Sequence, residues 1–159
     1  MDHQLSIVLY SQENKHLFYE INAEWISDMF FLEDIDKEVL QNPDQYIIGT
    51  GGHIFFAAHP EHGVVGTCAL MNKGDGAFEL TKMGVFKKAR GLKVGEYLLK
   101  YTIAQAKELK IDKLFLLTNS ACEAAIHLYE KNGFVHSKDI KEAYGCTYER
   151  CDVAMLYTR

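Results

Sequence analysis

The stretch Lys82–Gly95 concentrates the chemically suggestive residues of this 159-residue chain. It carries Lys82, Lys87, Lys88, Arg90 and Lys93 and no acid, in a protein whose formal net charge is −5. Gly91 and Gly95 stand among those cations, where a backbone without Cβ allows close approach of a ligand. Ahead of a helix, such a run offers unpaired N–H groups, the positive end of the helix dipole and side-chain charge. Together these suit a phosphate. A solvated basic loop with ordinary turn glycines fits the same residues. Neither G-x-G-x-x-G nor a P-loop occurs, so the usual dinucleotide and nucleotide fingerprints are excluded. Phe86 is the only aromatic in the run, which gives too little stacking surface for a nucleic-acid site.

Other reactive residues are less suggestive. His59 and His62 have metal-ligand spacing, but they flank Pro60 and Gly63 in a turn pattern, so a solvated hairpin tip is expected and no metal. Cys68, Cys122, Cys146 and Cys151 form no C-x-x-C pair. They read as reduced thiols, with Cys68 and Cys122 in core-like surroundings, and this agrees with a cytoplasmic location.

The elements that would position these residues read as one domain over 1–159. Hydrophobic residues make up 48% and charged residues 25%, enough apolar surface for a core without disulfide staples. The longest strongly apolar stretch, Ile54 to Ala58, cannot span a membrane, and Met1-Asp2-His3-Gln4 shows no secretory leader. A short apolar stretch at Leu5–Tyr10 precedes a helix over about Lys15–Ile26, with Leu17, Phe18, Ile21 and Trp25 on one face and Asn14 as its cap. A shorter helix follows Asp34 and stops before Pro43. His53–His59, Gly63–Met71 and Ala77–Val85 form a three-stranded antiparallel meander with turns at 60–63 and 72–76. A helix over about Val94–Lys110 places Val94, Tyr97, Leu98, Tyr101 and Ala104 at helical spacing. It crosses to a strand at Lys113–Thr118 that must run parallel to Ala77–Val85. Ser120 and Glu123 suggest a capping box for the next helix, which Gly133 closes. Phe134–Lys138 and Val153–Thr158 complete the α/β order as strands.

Two segments resemble a known family. Val85-Phe86-Lys87-Lys88-Ala89-Arg90-Gly91-Leu92-Lys93-Val94-Gly95, followed by Tyr97-Leu98-Leu99, looks like the acyl-CoA-binding motif of the GNAT family of N-acetyltransferases. Arg90 and Gly95 match its ends and Gly91 its common Arg-Gly start. Lys93 replaces the usual middle glycine, and Lys87 stands where proline is frequent. Asn119 and Ala125-Ile126-His127-Leu128-Tyr129-Glu130-Lys131-Asn132-Gly133-Phe134 resemble the motif that follows. The resemblance runs from about Leu5 to Tyr157. The segment with Trp25 and Gly52–Ala57 is similar to that of uncharacterised bacterial members.

The resemblance implies a mixed, mostly antiparallel sheet that splays between its fourth and fifth strands, flanked by about four helices. It implies that the pantetheine arm of acetyl-CoA enters the splay and bonds backbone groups such as those of Met83 and Val85. The pyrophosphate would rest on Arg90, Gly91, Leu92, Lys93, Val94 and Gly95, with Lys88 nearby and Asn119 holding the arm. By the same resemblance Glu79, six residues before Val85, is the general base and Tyr129 is the acid that protonates the departing thiolate. A solvent-facing strand glutamate and a core helical tyrosine are the plainer readings of those two residues.

Residues 13–44 hold nine acids and two lysines, a local balance of −7. In this fold that segment walls the acceptor side, so a cationic amine, free or on a peptide or protein, would be steered there. A merely solvated helix face accounts for the same charges. The implied activity is acetyl transfer from acetyl-CoA to a primary amine by direct attack in a ternary complex. An acyl-CoA-binding regulatory module and a nucleotide-binding domain are the competing readings. A homodimer is left open.

Overall fold

Two-residue periodicity and turn chemistry set the central strands. In the computed structural model, which describes residues 4–158, the hairpin between β3 (Gly63–Gly74) and β4 (Ala77–Val85) turns on Asp75 and Gly76. Both have positive φ, 54° and 78°, as a two-residue primed turn requires. The turn needs only these two residues, so β3 runs three residues past the expected Met71. β2 (His53–His59) pairs with β3 at the turn foreseen around Pro60. The reading of Met1–His3 lies outside the described residues.

The remaining elements are β1 (Ser6–Leu9), α1 (Lys15–Met29), α2 (Asp34–Gln41), the single turn α3 (Pro43–Tyr46) and α4 (Val94–Glu108). They are followed by β5 (Lys113–Thr118), α5 (Glu123–Lys131), β6 (Phe134–His136), α6 (Lys138–Tyr144) and β7 (Val153–Tyr157). One seven-stranded sheet has the order β1-β2-β3-β4-β5-β7-β6, and only β4 and β5 are parallel. Among the described residues no helix is long and apolar enough to cross a membrane.

Alternation sends neighbouring side chains into separate cores. Phe56, Ala69 and Met71 pack under α1 and α2, whereas Phe55, Cys68, Leu70 and Leu80 pack against α4. α6 covers Phe115 and Ala154 on the first of these faces, with Tyr144 stacked on Phe115 at 4.3 Å. Gly66 admits α4 to the sheet, since a Cβ there would lie 2.7 Å from Val94 Cγ1.

Several local expectations are corrected. Among the described residues six α-helices form, where about four were expected. α6 replaces the end of the strand expected over Phe134–Lys138, because Ser137 Oγ accepts the Ile140 N–H and starts a helix there. Its single fully buried apolar residue, Ile140, leaves almost no periodic signal. α1 runs on to Met29 and buries Phe18, Ile21, Asn22 and Ile26, leaving Trp25 half-buried. Asn14 sits before α1 but folds back, its Oδ1 accepting from Ser11 N–H and its Nδ2 donating to Leu9 O. The Ser120–Glu123 box does not form: Cys122 precedes α5, and Ser120 bonds Asp152 instead. The buried stripe of α4 turns from Val94 and Leu98 to Thr102, Ile103 and Ala106, and Ala104 is exposed.

Candidate active site

β4 and β5 pair only at Ala77–Lys113, Phe78–Leu114 and Glu79–Phe115. Beyond Glu79 the strands part, and β4 has an open edge from Leu80 to Val85. The divergence starts beside a bulge. Thr67 pairs with Gly84 and Ala69 with Thr81, so Lys82 and Met83 together face Cys68. Lys82 adopts φ 56°, a left-handed conformation that costs about 1–2 kcal/mol for a residue with a Cβ. The V holds a cavity of about 430 Å³, bounded by β4, β5 and α5, with Trp25, Tyr148 and Arg150 also on its wall. Trp25 lies on the bulge because Gly84 has no Cβ; one would sit 2.5 Å from the indole.

The basic run forms a turn at Lys87–Ala89 and then the start of α4. Gly91 and Lys93 take φ 90° and 62°. Among the described residues the amides of Gly91, Lys93, Val94, Gly95 and Glu96 donate to no acceptor. This is an anion cradle at a helix N-terminus. A Cβ on Gly95 would meet only Leu128, at 3.9 Å, so the space before that amide is open. Arg90 and Gly95 also line the cavity, so the cradle leads into the V. An open strand edge continuous with five unpaired amides fits an extended thioester arm ending in a pyrophosphate.

The charge of this loop is smaller than expected. Lys82 is buried away from it, and Lys87 is paired with Asp28 at 3.0 Å. Lys88 sits over the Phe86 ring, 5.4 Å from its centre. Lys88, Arg90 and Lys93 remain without ion pairs among the described residues. Lys88, Gly91, Leu92, Lys93 and Val94 do not line the cavity, whereas Met83 and Val85 do. Leu92 is exposed, and Val94 is buried against the sheet.

Glu79 is 1% exposed and stands behind the cavity wall rather than on it. Its Oε1 is buried with no hydrogen-bond partner, and Lys73 Nζ lies 4.0 Å away. Burial holds its pKa above the ordinary carboxylate value despite the nearby Lys73 and Lys82 charges. Its position is therefore not that of a solvent-facing strand residue. Tyr129 lines the cavity and is also packed, edge-on to Phe134 at 6.0 Å. Burial raises its pKa, so the phenol keeps its proton at neutral pH and can donate it. Asn119 lines the cavity, but its side chain is engaged within the chain. Nδ2 donates to Arg150 O at 2.6 Å and Oδ1 accepts from Ala121 N–H at 2.8 Å.

One cluster of charged residues beside the cavity was not anticipated. Lys82 Nζ donates to Asp36 Oδ1 at 3.0 Å and to the Tyr148 hydroxyl at 3.1 Å. Arg150 holds Asp36 through Nη1 at 2.7 Å and Nη2 at 2.9 Å, and reaches Glu33 at 3.2 Å. Burial alone would raise the Asp36 pKa, but Arg150 and Lys82 bring it down to about 2. Glu33 and Asp36 also cap α2 reciprocally. That E-x-x-D spacing was the one local signal available. Of the nine acids of residues 13–44, Asp28, Glu33, Asp36 and Asp44 pair with a lysine or arginine, Asp44 with Lys15 at 2.8 Å, whereas among the described residues Glu13, Glu20, Glu24, Asp34 and Glu38 form no such pair.

His59 and His62 do come together with Glu61, their ligand atoms within 4.8 Å of one another. Both His59 ring nitrogens are already used, one facing Gln4 Oε1 at 3.0 Å and the other accepting from Glu61 N–H at 3.1 Å.

The splayed β4–β5 pair thus leads directly into the amide cradle at the start of α4. The chain matches the family model for the acetyltransferase (GNAT) domain over residues 51–136. It is 30% identical over 122 residues to an uncharacterised N-acetyltransferase of Schizosaccharomyces pombe, covering 76% of this chain and 73% of that protein. A GNAT-family acetyltransferase structure from Staphylococcus aureus superposes with a TM-score of 0.84 at 25% identity, over 96% of this chain and 98% of the other. A GNAT acetyltransferase from Elizabethkingia anophelis with acetyl-CoA bound gives 0.68 at 22% identity, over 98% and 96%. The chain belongs to the GNAT acetyltransferase family.

Proposed function

We propose that the chain is a single-domain N-acetyltransferase that uses acetyl-CoA to acetylate a primary amine by direct attack in a ternary complex. The observation that carries this reading is the continuity of the five free amides at the start of α4 with the open edge of β4. The amides of Gly91, Lys93, Val94, Gly95 and Glu96 hold the pyrophosphate, whereas those of Arg90 and Leu92 are already spent on Lys87 O and Ala89 O, and backbone groups of Met83 and Val85 take the pantetheine arm. Bound there, acetyl-CoA supplies the acetyl group: the amine nitrogen bonds the acetyl carbon as the C–S bond breaks and the thiolate leaves. An N–H of the β4 edge polarises the carbonyl. Glu79 takes the amine proton, by way of water because it stands behind the wall. Tyr129 gives a proton to the departing sulfur.

Thermal shift with acetyl-CoA, CoA and ATP, alongside thiol release, tests the proposal. Acetyl-CoA and CoA should raise the melting temperature and ATP should not. Gly95→Glu should abolish the rise, because it fills the open space before the cradle with an anion; a retained rise would remove this loop from the site. One observation favours a second reading, a binder without turnover: Glu79 does not reach the cavity wall. Thiol release with any amine separates the two.

A further inference from the structure

The acceptor end of the cleft has a specific charge arrangement. Lys82 and Arg150 are on its wall, whereas their partners Asp36 and Glu33 lie behind them. Among the described residues Glu123, at the start of α5, is the only carboxylate on the cavity wall. The Lys82 side chain is only 2% exposed, so Arg150, 15% exposed, is the cation that an amine carrying further positive charge would meet there.

Arg150 also has unused donors. Nη1 gives one hydrogen to Asp36 Oδ2 and one to Glu33 Oε2, and Nη2 gives one to Asp36 Oδ1. The second Nη2 hydrogen and the Nε hydrogen donate to no acceptor among the described residues. They lie side by side on the guanidinium edge away from Asp36, the spacing that a carboxylate accepts in a two-point bond. The guanidinium carbon lies 5.9 Å from the Phe30 ring centre and 4.8 Å from that of Tyr148, and these contacts, together with the two carboxylate partners, pre-orient the edge. Around it the wall is apolar, with Trp25, Met29 and Phe30, and Phe31 beside them is 63% exposed.

We infer that the acceptor is an amino acid-like amine, with a carboxylate seated on the free edge of Arg150 and an apolar body against Trp25, Met29 and Phe30. The inference rests on the acetyltransferase reading above and narrows its substrate. The carboxylate takes no part in bond making; it orients the amine. Polyamines are rejected because their extra charges face Arg150.

The test measures acetyl-CoA-dependent thiol release with amino acids bearing the amine at the α or ω position. Each is paired with its decarboxylated counterpart, phenylalanine with phenethylamine and γ-aminobutyrate with propylamine, and spermidine is included. The best substrate should carry a carboxylate and exceed its counterpart in kcat/KM by about tenfold or more, the scale of a charge-assisted pair. Arg150→Gln should shrink that ratio toward one, through KM, with acetyl-CoA still raising the melting temperature. Where Arg150→Gln does not fold, Met29→Glu supplies the second arm, shifting preference away from amino acids toward spermidine. Equal or better turnover of the decarboxylated amines or of spermidine by the unaltered protein would overturn the inference. So would silence across the whole panel while acetyl-CoA still raises the melting temperature. Failure of acetyl-CoA to bind at all would instead overturn the acetyltransferase reading.

Discussion

Lys82 Nζ lies 3.0 Å from Asp36 Oδ1, and the two residues are 46 positions apart. The pair joins the β4 bulge to α2, and both side chains are almost wholly buried. A buried ion pair is costly to break from one side, because the remaining charge keeps its desolvation penalty.

Asp36 is the hub of this network, so Asp36→Ala leaves Lys82 without an anion and Arg150 with Glu33 alone. It should lower stability by about 3–5 kcal/mol, whereas Lys82→Met, which leaves Asp36 with Arg150, should cost clearly less. Urea unfolding measures both, and equal small losses would mean that the network does not hold the bulge.

The same residue predicts acid sensitivity. The folded pKa of Asp36, about 2, is below its ordinary value of 3.8. Its contribution is therefore present above pH 4 and lost as pH falls toward 2, by roughly 2 kcal/mol. Glu79 works the other way: its raised pKa gives stability at low pH that is lost as pH rises through its folded value. Asp36→Asn should flatten the acid limb of a stability–pH curve, and Glu79→Gln should remove the decline above it. An unchanged acid limb in Asp36→Asn would contradict the assignment.

For catalysis, Glu79→Gln keeps size but cannot accept a proton. Turnover near neutral pH should fall by about 10²–10⁴, and the deficit should shrink at high pH, where the amine loses its proton unaided. Tyr129→Phe keeps the packing against Phe134 and deletes the donor, so turnover should fall while acetyl-CoA affinity holds. Should Tyr129→Phe lower only the melting temperature, the ring is core and the proton comes from elsewhere.

Lys93 occupies a left-handed position, φ 62°, where its family commonly has glycine. Lys93→Gly removes that strain and should raise stability by up to about 1 kcal/mol. Acetyl-CoA affinity should change only modestly, because the amide cradle is unchanged while one attractive charge is lost. A large gain in affinity, read by thermal shift, would show that the lysine obstructs the cradle.

The strands His53–His59, Ala77–Val85 and Lys113–Thr118, the parallel crossover and the helix start near Val94 were all legible in the sequence. Each rests on local chemistry: alternation, turn residues, a helix start. α6 was not legible because one fully buried residue and a serine cap leave no period. Which charges the loop keeps, and what Glu79 and Arg150 face, depended on the tertiary structure. Lys82 reads as a loop cation until the bulge turns it inward toward Asp36. Arg150 carries no local signal in the sequence, and its partner Asp36 lies 114 positions earlier in the chain. Local pattern fixes which backbone groups stay unpaired, because those depend on neighbours in sequence. The partners of buried charges come from distant elements, and only packing brings them within 3 Å.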